Sequence, residues 1–265
     1  MQVNSTLSVK TFDVGPMLNM IYLIWDKKTK EAALVDPAWD LSQVLDFIKK
    51  NNIKLKKILL THSHHDHVNS VDKLLSLYDV PIYINKIEAS FWGKKYDNLT
   101  GLDSEENIYL GKSKLTSIHT PGHTPGSCCY SFDNNLIAGD TLFVFGCGRC
   151  DLHGGNPEQM FESLKNLKNN FHKNTIIMPG HNYSISRQSS LEEEISGNPF
   201  FNFNNLKEFV KYRMHDHDKT REEPYAPIKL GSLWKPALNI NNRFLTKFRF
   251  IDSIAVFSLS LVPCI

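Results

Sequence analysis

The alternation of apolar and polar residues divides the first half of the chain into short strands and helices. Three strand-like segments come first, and each is rich in β-branched or aromatic residues and bounded by Gly-Pro or charged turns. Residues 40–51 instead repeat their apolar positions at a helical period. The predicted elements are strands at 7–12, 20–25, 32–35, 56–60 and 81–84 and helices at 40–51 and 69–77.

The second half of the chain also contains both strands and helices. Pro157 in a first turn and Asn156 as a cap predict a helix that begins near 158. The remaining predicted elements are strands at 115–119, 128–132, 135–138 and 175–178 and helices at 158–167, 191–195 and 206–214. The order predicts two sheets with helices packed outside them, an α/β layered domain at 1–188, with a short helical C-terminal appendage and tail at 189–265.

Composition and charge exclude some partners. The chain is 41% hydrophobic and 22% charged, and its net charge of +2 is too small to indicate nucleic acid as a partner. The apolar run at 253–263 is shorter than the roughly 20 residues of a membrane helix, so no membrane partner is expected. The oligomeric state is left open.

The cysteines and the N-terminal residues indicate a reducing compartment. The five cysteines are odd in number, and the first residues lack the basic and apolar regions of a secretory leader, so we expect free thiols and a cytoplasmic location. The Cys147-x-x-Cys150 pair has no second CxxC, which disfavours a zinc or redox pair.

The run Thr61-His62-Ser63-His64-His65-Asp66-His67 follows the predicted strand at 56–60 and carries the chemistry of the chain. In an extended segment, residues two apart point the same way, so His62 and His64 can face one ion. Asp66 and His67 follow as the chain turns into a helix, which directs them to a neighbouring position. One short segment can thus serve two adjacent metal ions.

Three further candidates stand in a similar context. His123, Asp140 and His181 each follow a strand and a glycine within a few residues. Neutral imidazole and carboxylate suit zinc, iron and manganese. A pair of such ions would lower the pKa of a shared water toward neutrality and would polarise a substrate carbonyl or phosphoryl oxygen. The remaining histidines are interpreted as structural; they are His65, His119, His153, His172, His215 and His217.

The HxHxDH run and the three Gly-associated residues resemble the signature of the metallo-β-lactamase superfamily, over roughly residues 7–225. The resemblance implies an αβ/βα four-layer sandwich. It also implies that His62, His64 and His123 bind a first metal, that Asp66, His67 and His181 bind a second, and that Asp140 bridges them. Two divalent ions are therefore expected, zinc first, with iron or manganese as alternatives.

Two stretches resemble the hydroxyacylglutathione hydrolases, or glyoxalase II. They are Gly139-Asp140-Thr141-Leu142-Phe143 with Gly146-Cys147-Gly148-Arg149, and Pro179-Gly180-His181-Asn182-Tyr183-Ser184. The resemblance implies that Arg149 and Tyr183 contact glutathione. A guanidinium can pair with a carboxylate through two hydrogen bonds, although Arg149 could instead form a salt bridge with Asp151.

The expected function is hydrolysis of a thioester, an S-acylglutathione such as S-lactoylglutathione, by metal-bound hydroxide, with Asp66 also orienting the hydroxide. Gly148-Arg149-Cys150-Asp151 is closer to the persulfide dioxygenases of the same superfamily, which use a single iron, so that activity is the alternative. A non-catalytic metal-binding protein is a third hypothesis, disfavoured because all seven ligand positions are filled.

Overall fold

The computed structural model describes residues 6–221 and 223–228, which form two six-stranded sheets packed face to face with helices on their outer sides. The apolar run at 253–263, Cys264 and the rest of 239–265 lie outside the described residues. None of the helices in the described part is both long and apolar enough to cross a bilayer.

The first sheet has its strands in sequence order, antiparallel from β1 to β3 and parallel from β3 to β6. Its strands are β1 (Leu7–Val14), β2 (Asn19–Asp26), β3 (Glu31–Val35), β4 (Lys54–Leu59), β5 (Ile82–Asn85) and β6 (Leu99–Leu102). Helices connect the parallel strands, as parallel pairing requires. They are α1 (Ser42–Lys50), α2 (His65–Val68), α3 (Val71–Leu75) and α4 (Lys86–Trp92).

The second sheet has the order β14-β13-β10-β9-β8-β7, and only its β10–β13 pair is parallel. Its strands are β7 (Asn107–Leu110), β8 (Ser113–His119), β9 (Cys128–Phe132), β10 (Asn135–Gly139), β13 (Ile176–Pro179) and β14 (Ser189–Ser190). The link from β10 to β13 holds a small ribbon, β11 (Leu142–Phe143) with β12 (Gly146–Cys147), and the helix α5 (Pro157–Asn170).

The two faces of β2 show how the layers are held. Successive side chains of a strand point to opposite faces, and here Ile21 and Leu23 pack with the buried residues of α1 and α3. Met20, Tyr22 and Ile24 point the other way and pack against the second sheet. Both faces of the strand are therefore buried, and the predicted αβ/βα sandwich is confirmed.

The segment after β14 forms short helices that pack on α5. They are α6 (Leu191–Gly197), a 3₁₀ turn at Pro199–Asn202, α7 (Leu206–Lys211), a π turn at Tyr212–Asp216 and α8 (His217–Thr220). Leu191, Phe200 and Phe209 share an apolar cluster with Leu164 and Leu167 of α5. The helix predicted at 206–214 thus ends as α-helix at Lys211 and continues as the π turn. A domain boundary at 188 remains a prediction.

Other elements differ from expectation in identifiable ways. The helix predicted at 69–77 begins at Val71, because the histidine run has already turned into the separate helix α2. Asn156 caps α5 as predicted, and its side chain accepts a hydrogen bond of 2.9 Å from the backbone N–H of Gln159. Helix α4 and strands β6 and β7 were not predicted. In α4 the pattern is inverted, because Ile87 is 49% exposed and Glu88 is fully buried.

Candidate metal centre

All seven predicted ligands come together beyond the strand ends at one place in the sandwich. Four follow β4, and one follows each of β8, β10 and β13. Sites in α/β folds commonly lie at the carboxyl ends of strands, where the chain leaves the sheet. The seven residues are His62, His64, Asp66, His67, His123, Asp140 and His181.

Three imidazoles form what we call the first donor group: His62, His64 and His123. The Nδ1 of His64 lies 2.8 Å from the Nε2 of His123. The ring centre of His62 lies 4.8 Å from that of His64 and 4.9 Å from that of His123, and all three rings are steeply inclined to one another. Their nitrogens thus point at a common position rather than stacking.

The second donor group consists of Asp66, His67 and His181. The two Nε2 atoms of the histidines are 3.2 Å apart. The Oδ2 of Asp66 lies 3.5 Å from the Nε2 of His67 and 3.4 Å from that of His181. This set adds a carboxylate to two imidazoles, a mixture suited to zinc, iron or manganese.

Asp140 lies between the two donor groups. Its Oδ2 is 3.5 Å from the Nε2 of His123 in the first group and 3.3 Å from the Nε2 of His181 in the second. Its Oδ1 is 3.3 Å from the Nε2 of His67. A single carboxylate therefore reaches both groups, which is the position that the predicted bridging role needs.

Two glycines allow this close approach. A Cβ at Gly180 would lie 2.2 Å from the Oδ1 of Asp140, so a side chain there would displace the carboxylate. Gly139 has a φ of +50° and a Cβ there would meet the Oγ1 of Thr61 at 2.6 Å. Glycine tolerates both the left-handed backbone and the missing space.

Three of the histidines face acceptors with their outer nitrogens, so their inner nitrogens are directed toward the other ligands. The Nδ1–H of His123 donates to the backbone carbonyl of Arg149 at 2.7 Å, and that of His181 donates to the carbonyl of Met17 at 2.8 Å. The Nδ1 of His67 lies 3.0 Å from the Oδ2 of Asp36. Such partners fix the tautomer and orientation of metal-binding histidines.

Burial and mutual repulsion keep the first donor group uncharged. Burial lowers the pKa of His64 to about 3, with His123 adding to the effect. Burial also places the pKa of His62 well below its ordinary value, helped by the neighbouring imidazole of His67. The pKa of His123 is lowered by burial as well, although Asp140 opposes the shift. Neutral imidazoles are the form that binds a metal ion.

The second donor group has the opposite electrostatics. Burial alone would lower the pKa of His67, but Asp140, Asp66 and Asp36 outweigh it and raise the pKa to about 9. For His181 the carboxylates of Asp140 and Asp66 likewise overcome burial and raise the pKa to about 10. The same contacts overcome burial of the carboxyls and hold the pKa of Asp66 and Asp140 well below the usual range. A concentration of negative charge here favours a cation.

The donor set fits a pair of metal ions. The Nε2 of His62 and the Oδ1 of Asp140 are buried and have no hydrogen-bond partner among the described residues. Buried polar atoms without partners are costly and rare. Coordination to a cation would satisfy both atoms.

Two buried residues that support the ligands were not predicted. The Oδ1 of Asp36 accepts from the backbone N–H of Thr61, and its Oδ2 faces His67. Asp36 follows β3 as Asp140 follows β10, a signal that the sequence offered. The amide of Asn19 donates to the Oδ2 of Asp66 at 2.9 Å. No sequence signal marked Asn19.

The two predicted substrate contacts lie close to the ligands. Arg149 forms a two-pronged ion pair with Asp151, at 2.8 and 2.7 Å, which is the alternative contact considered for it. Its backbone carbonyl also accepts from His123. The ring of Tyr183 stacks on the imidazole of His181, with centres 4.6 Å apart and planes 8° from parallel. Their roles with substrate remain predictions.

The histidines interpreted as structural join none of the metal-ligating groups found within 6–221 and 223–228. His65 and His172 are exposed, and His153 stacks on Phe91. His217 is buried beside Arg213 and Asp218. The remaining two are His119, whose Nε2 lies 3.0 Å from the carbonyl of Pro125, and His215, which is exposed.

This fold and donor set define a class of metal-dependent enzymes. Residues 14–181 match the sequence profile described as the metallo-beta-lactamase superfamily. The match spans more than half of the chain, so the chain belongs to that superfamily, and the resemblance read from the histidine run is confirmed.

Two relatives of known sequence are named as hydrolases, and one solved structure is similar in fold. A "probable polyketide biosynthesis zinc-dependent hydrolase", PksB of Bacillus subtilis, is 34% identical over 201 residues, which cover 76% of this chain and 89% of the relative. A hydroxyacylglutathione hydrolase of Shewanella halifaxensis is 34% identical over 234 residues, covering 86% of this chain and 85% of the relative. The crystal structure of ETHE1 from Myxococcus xanthus superposes with a TM-score of 0.72 at 25% identity, covering 78% of this chain and 90% of that one.

Proposed function

We propose that this protein hydrolyses a thioester at a centre of two divalent metal ions, and that the substrate is an S-acylglutathione such as S-lactoylglutathione. The observation that carries the proposal is the position of Asp140 between two donor groups, each with three further ligands. A hydrolase with two ions needs both groups, whereas a single ion would need only one.

We assign the ions to particular residues. His62, His64 and His123 would hold one ion, Asp66, His67 and His181 the other, and Asp140 would contact both. When bound, two such ions, zinc first, would supply Lewis acidity and a nucleophile near neutral pH.

The residues of the chain have distinct roles in the reaction. Asp66 orients the attacking water. Water adds to the thioester carbonyl, the C–S bond breaks, and the products are a carboxylate and a thiol. The leaving thiolate needs little help from an acid, because thiols have a pKa near about 8.5.

The substrate proposal rests on Arg149 and Tyr183. Both are partly exposed and lie beside ligands, since the Arg149 carbonyl holds His123 and Tyr183 stacks on His181. A guanidinium could exchange Asp151 for a carboxylate of glutathione, and a phenol can donate to a peptide oxygen. The hydroxyacylglutathione hydrolases among the relatives support this choice.

A second candidate is oxidation of a persulfide at a single iron. It is favoured by the Arg149–Asp151 ion pair, since the two residues belong to the Gly-Arg-x-Asp pattern that resembles the persulfide dioxygenases. His62, His123 and Asp140 would be enough to hold one iron. The HxHxDH run does not separate the two activities; we rank the dioxygenase second because relatives found by sequence comparison are named as hydrolases.

One experiment separates the candidates. Metal ions per purified chain are counted, and the same sample is assayed for cleavage of S-lactoylglutathione, cleavage of an S-acyl-N-acetylcysteamine, and oxygen uptake with glutathione persulfide. About two ions and preferential cleavage of the glutathione ester support the proposal. Preferential cleavage of the acyl-cysteamine would overturn the glutathione part and favour the acyl carriers of polyketide chemistry.

The remaining outcomes reject thioester hydrolysis. One iron with oxygen uptake would establish the dioxygenase, and full metal loading with none of these activities would favour a metal-binding protein.

A cytoplasmic location stays a prediction; the four cysteines among the described residues are free thiols, as a reducing compartment requires.

A further inference from the structure

Glu88 is a buried carboxylate outside the ligand motifs that takes hydrogen bonds from two remote turns. It lies in α4, and its exposed fraction is 0%. Its Oε1 accepts from the backbone N–H of Ser63 at 2.8 Å and from the Ser63 hydroxyl at 2.6 Å. Its Oε2 accepts from the Thr124 hydroxyl at 2.8 Å and from the backbone N–H of Gly126 at 2.9 Å.

These donors lie in the two turns that carry the first donor group. Ser63 stands between His62 and His64, and Thr124 directly follows His123. The first turn leaves a strand of one sheet and the second joins two strands of the other. The three imidazoles can converge only if these turns keep a fixed separation, and Glu88 is bonded to both.

The packing around Glu88 shows that the separation is fixed tightly. A Cβ on Gly126 would lie 2.1 Å from the backbone nitrogen of Glu88, so the second turn rests directly on α4. The backbone N–H of Cys128 also donates to the carbonyl of Thr61 at 2.9 Å, which joins the same segments nearer to their strands. Glu88 adds the tie beside the histidines themselves.

The bonding pattern requires a carboxylate of this length. All four contacts are to N–H or O–H donors, so both oxygens accept. A glutamine would present an amide NH₂ to one pair of donors; the hydroxyl of that pair could turn to accept, but the bond from the backbone N–H would be lost. An aspartate would be one methylene too short to reach both turns. Buried donors that lose their acceptor carry a desolvation cost, so the turn that faced them would shift.

We propose that Glu88 is a positioning residue that sets the spacing of His62, His64 and His123, and hence the affinity of the first donor group for its metal ion. It acts through Ser63 and Thr124 and touches neither metal nor substrate. The inference rests on the proposed metal centre but not on which reaction the centre catalyses.

The test measures metal affinity rather than turnover. Zinc-loaded protein is titrated with a competing chelator to obtain two dissociation constants, for the parent, for Glu88→Gln and for a matched control, Glu194→Gln. Glu194 is also fully buried and also accepts from a backbone N–H and from polar side chains, those of Ser189 and Asn198, but it contacts no ligand turn. The cobalt absorption spectrum and thermal unfolding are recorded on the same samples.

The expected result is selective. Loss of an outer partner typically weakens metal binding about 10–100-fold, so Glu88→Gln should raise one constant by that factor and alter the cobalt spectrum. The other constant should not change, and Glu194→Gln should leave both as they are. Unchanged constants in Glu88→Gln, or equal losses in both variants, would overturn the proposal.

A second pair of variants covers the case in which Glu88→Gln does not fold. Thr124→Val removes one donor to Glu88, together with a contact to the Ser127 hydroxyl, at nearly constant shape, and Thr124→Ser keeps the hydroxyl. The valine variant should weaken the same zinc constant and the serine variant should retain it, while equal behaviour of the two contradicts the proposal. If the parent protein cleaves no thioester, the proposed function is wrong. The zinc dissociation constants still test the role of Glu88 in that case.

Discussion

The two donor groups differ in charge and in the way that the fold holds them. The first consists of three imidazoles with lowered pKa values, on turns from both sheets that Glu88 joins. The second combines Asp66 with two imidazoles whose pKa values are raised, and it is held by Asn19 and by the carbonyl of Met17 on the β1–β2 hairpin. The first group is therefore held through Glu88 of α4, and the second through the β1–β2 hairpin and by charge.

The largest expected effect comes from removing a member of the first group. His123→Ala takes away the imidazole that lies 2.8 Å from His64 and 3.5 Å from Asp140, so activity should fall by more than the roughly 100-fold that loss of an outer partner costs. Turnover and zinc content are measured together. His65→Ala, which changes an exposed histidine of the same run, is the control and should behave as the parent. Activity retained in His123→Ala would discredit the ligand assignment.

The second group should respond to a change at Asn19. Asn19→Ala removes the amide that donates to the Oδ2 of Asp66 and leaves the indole N–H of Trp39 without its acceptor. We expect about a 10-fold rise in one zinc dissociation constant, and it should be the constant that Glu88→Gln leaves unchanged. Asn69→Ala, whose side chain bonds Trp39 but not Asp66, is the control. If both variants weaken the same constant, the two groups are not held separately.

Arg149 tests the rim of the site rather than the ligands. Arg149→Ala keeps the backbone carbonyl that holds His123, so zinc affinity should be retained. A lost charge-assisted contact of about 1.5 kcal/mol should raise KM roughly 10-fold with little change in kcat. Arg187→Ala removes another exposed arginine paired with an aspartate, Asp13, and serves as control. A fall in kcat alone would contradict the gripping role.

Substitution of Glu194 should leave the zinc affinity of both donor groups unchanged and should alter only the stability of the fold. Burial raises its pKa to about 7, against the bonds from Ser189, Asn198 and Phe145. Because the folded-state pKa lies above the unfolded value, its stabilisation is complete below about pH 4.5 and is lost as the pH rises through 7, by at most about 3 kcal/mol. Denaturant unfolding at pH 5 to 8 should show this fall in the parent and a flatter profile in Glu194→Gln. Parallel profiles would contradict the shift.

Sequence periodicity predicted most of the sandwich because most strands bury one or both faces. Strand β2 and helix α5 show this, since apolar spacing and the cap at Asn156 are local signals. Helix α4 was not predicted, because its glutamate, Glu88, is buried and its isoleucine, Ile87, is exposed. The buried glutamate of α4 contacts the two ligand turns, and the sequence of the helix alone does not reveal that contact.

The sequence was enough to predict which residues are candidate ligands, but it was not enough to predict the distances between their side chains. His123, Asp140 and His181 each stand just after a strand, but the 3.3–3.5 Å separations depend on how two sheets pack. The supports Asn19 and Glu88 were missed because their roles depend on side-chain direction across long sequence separations.

Arg149 contributes to the site in two ways, through its backbone carbonyl and through its side chain. Its carbonyl accepts from the ring of His123, while its guanidinium is held by Asp151. A molecule that draws the guanidinium away from Asp151 pulls on the same short segment that orients the imidazole. By thermodynamic reciprocity, any effect that occupancy of the rim has on metal affinity is matched by an equal effect of metal loading on affinity at the rim.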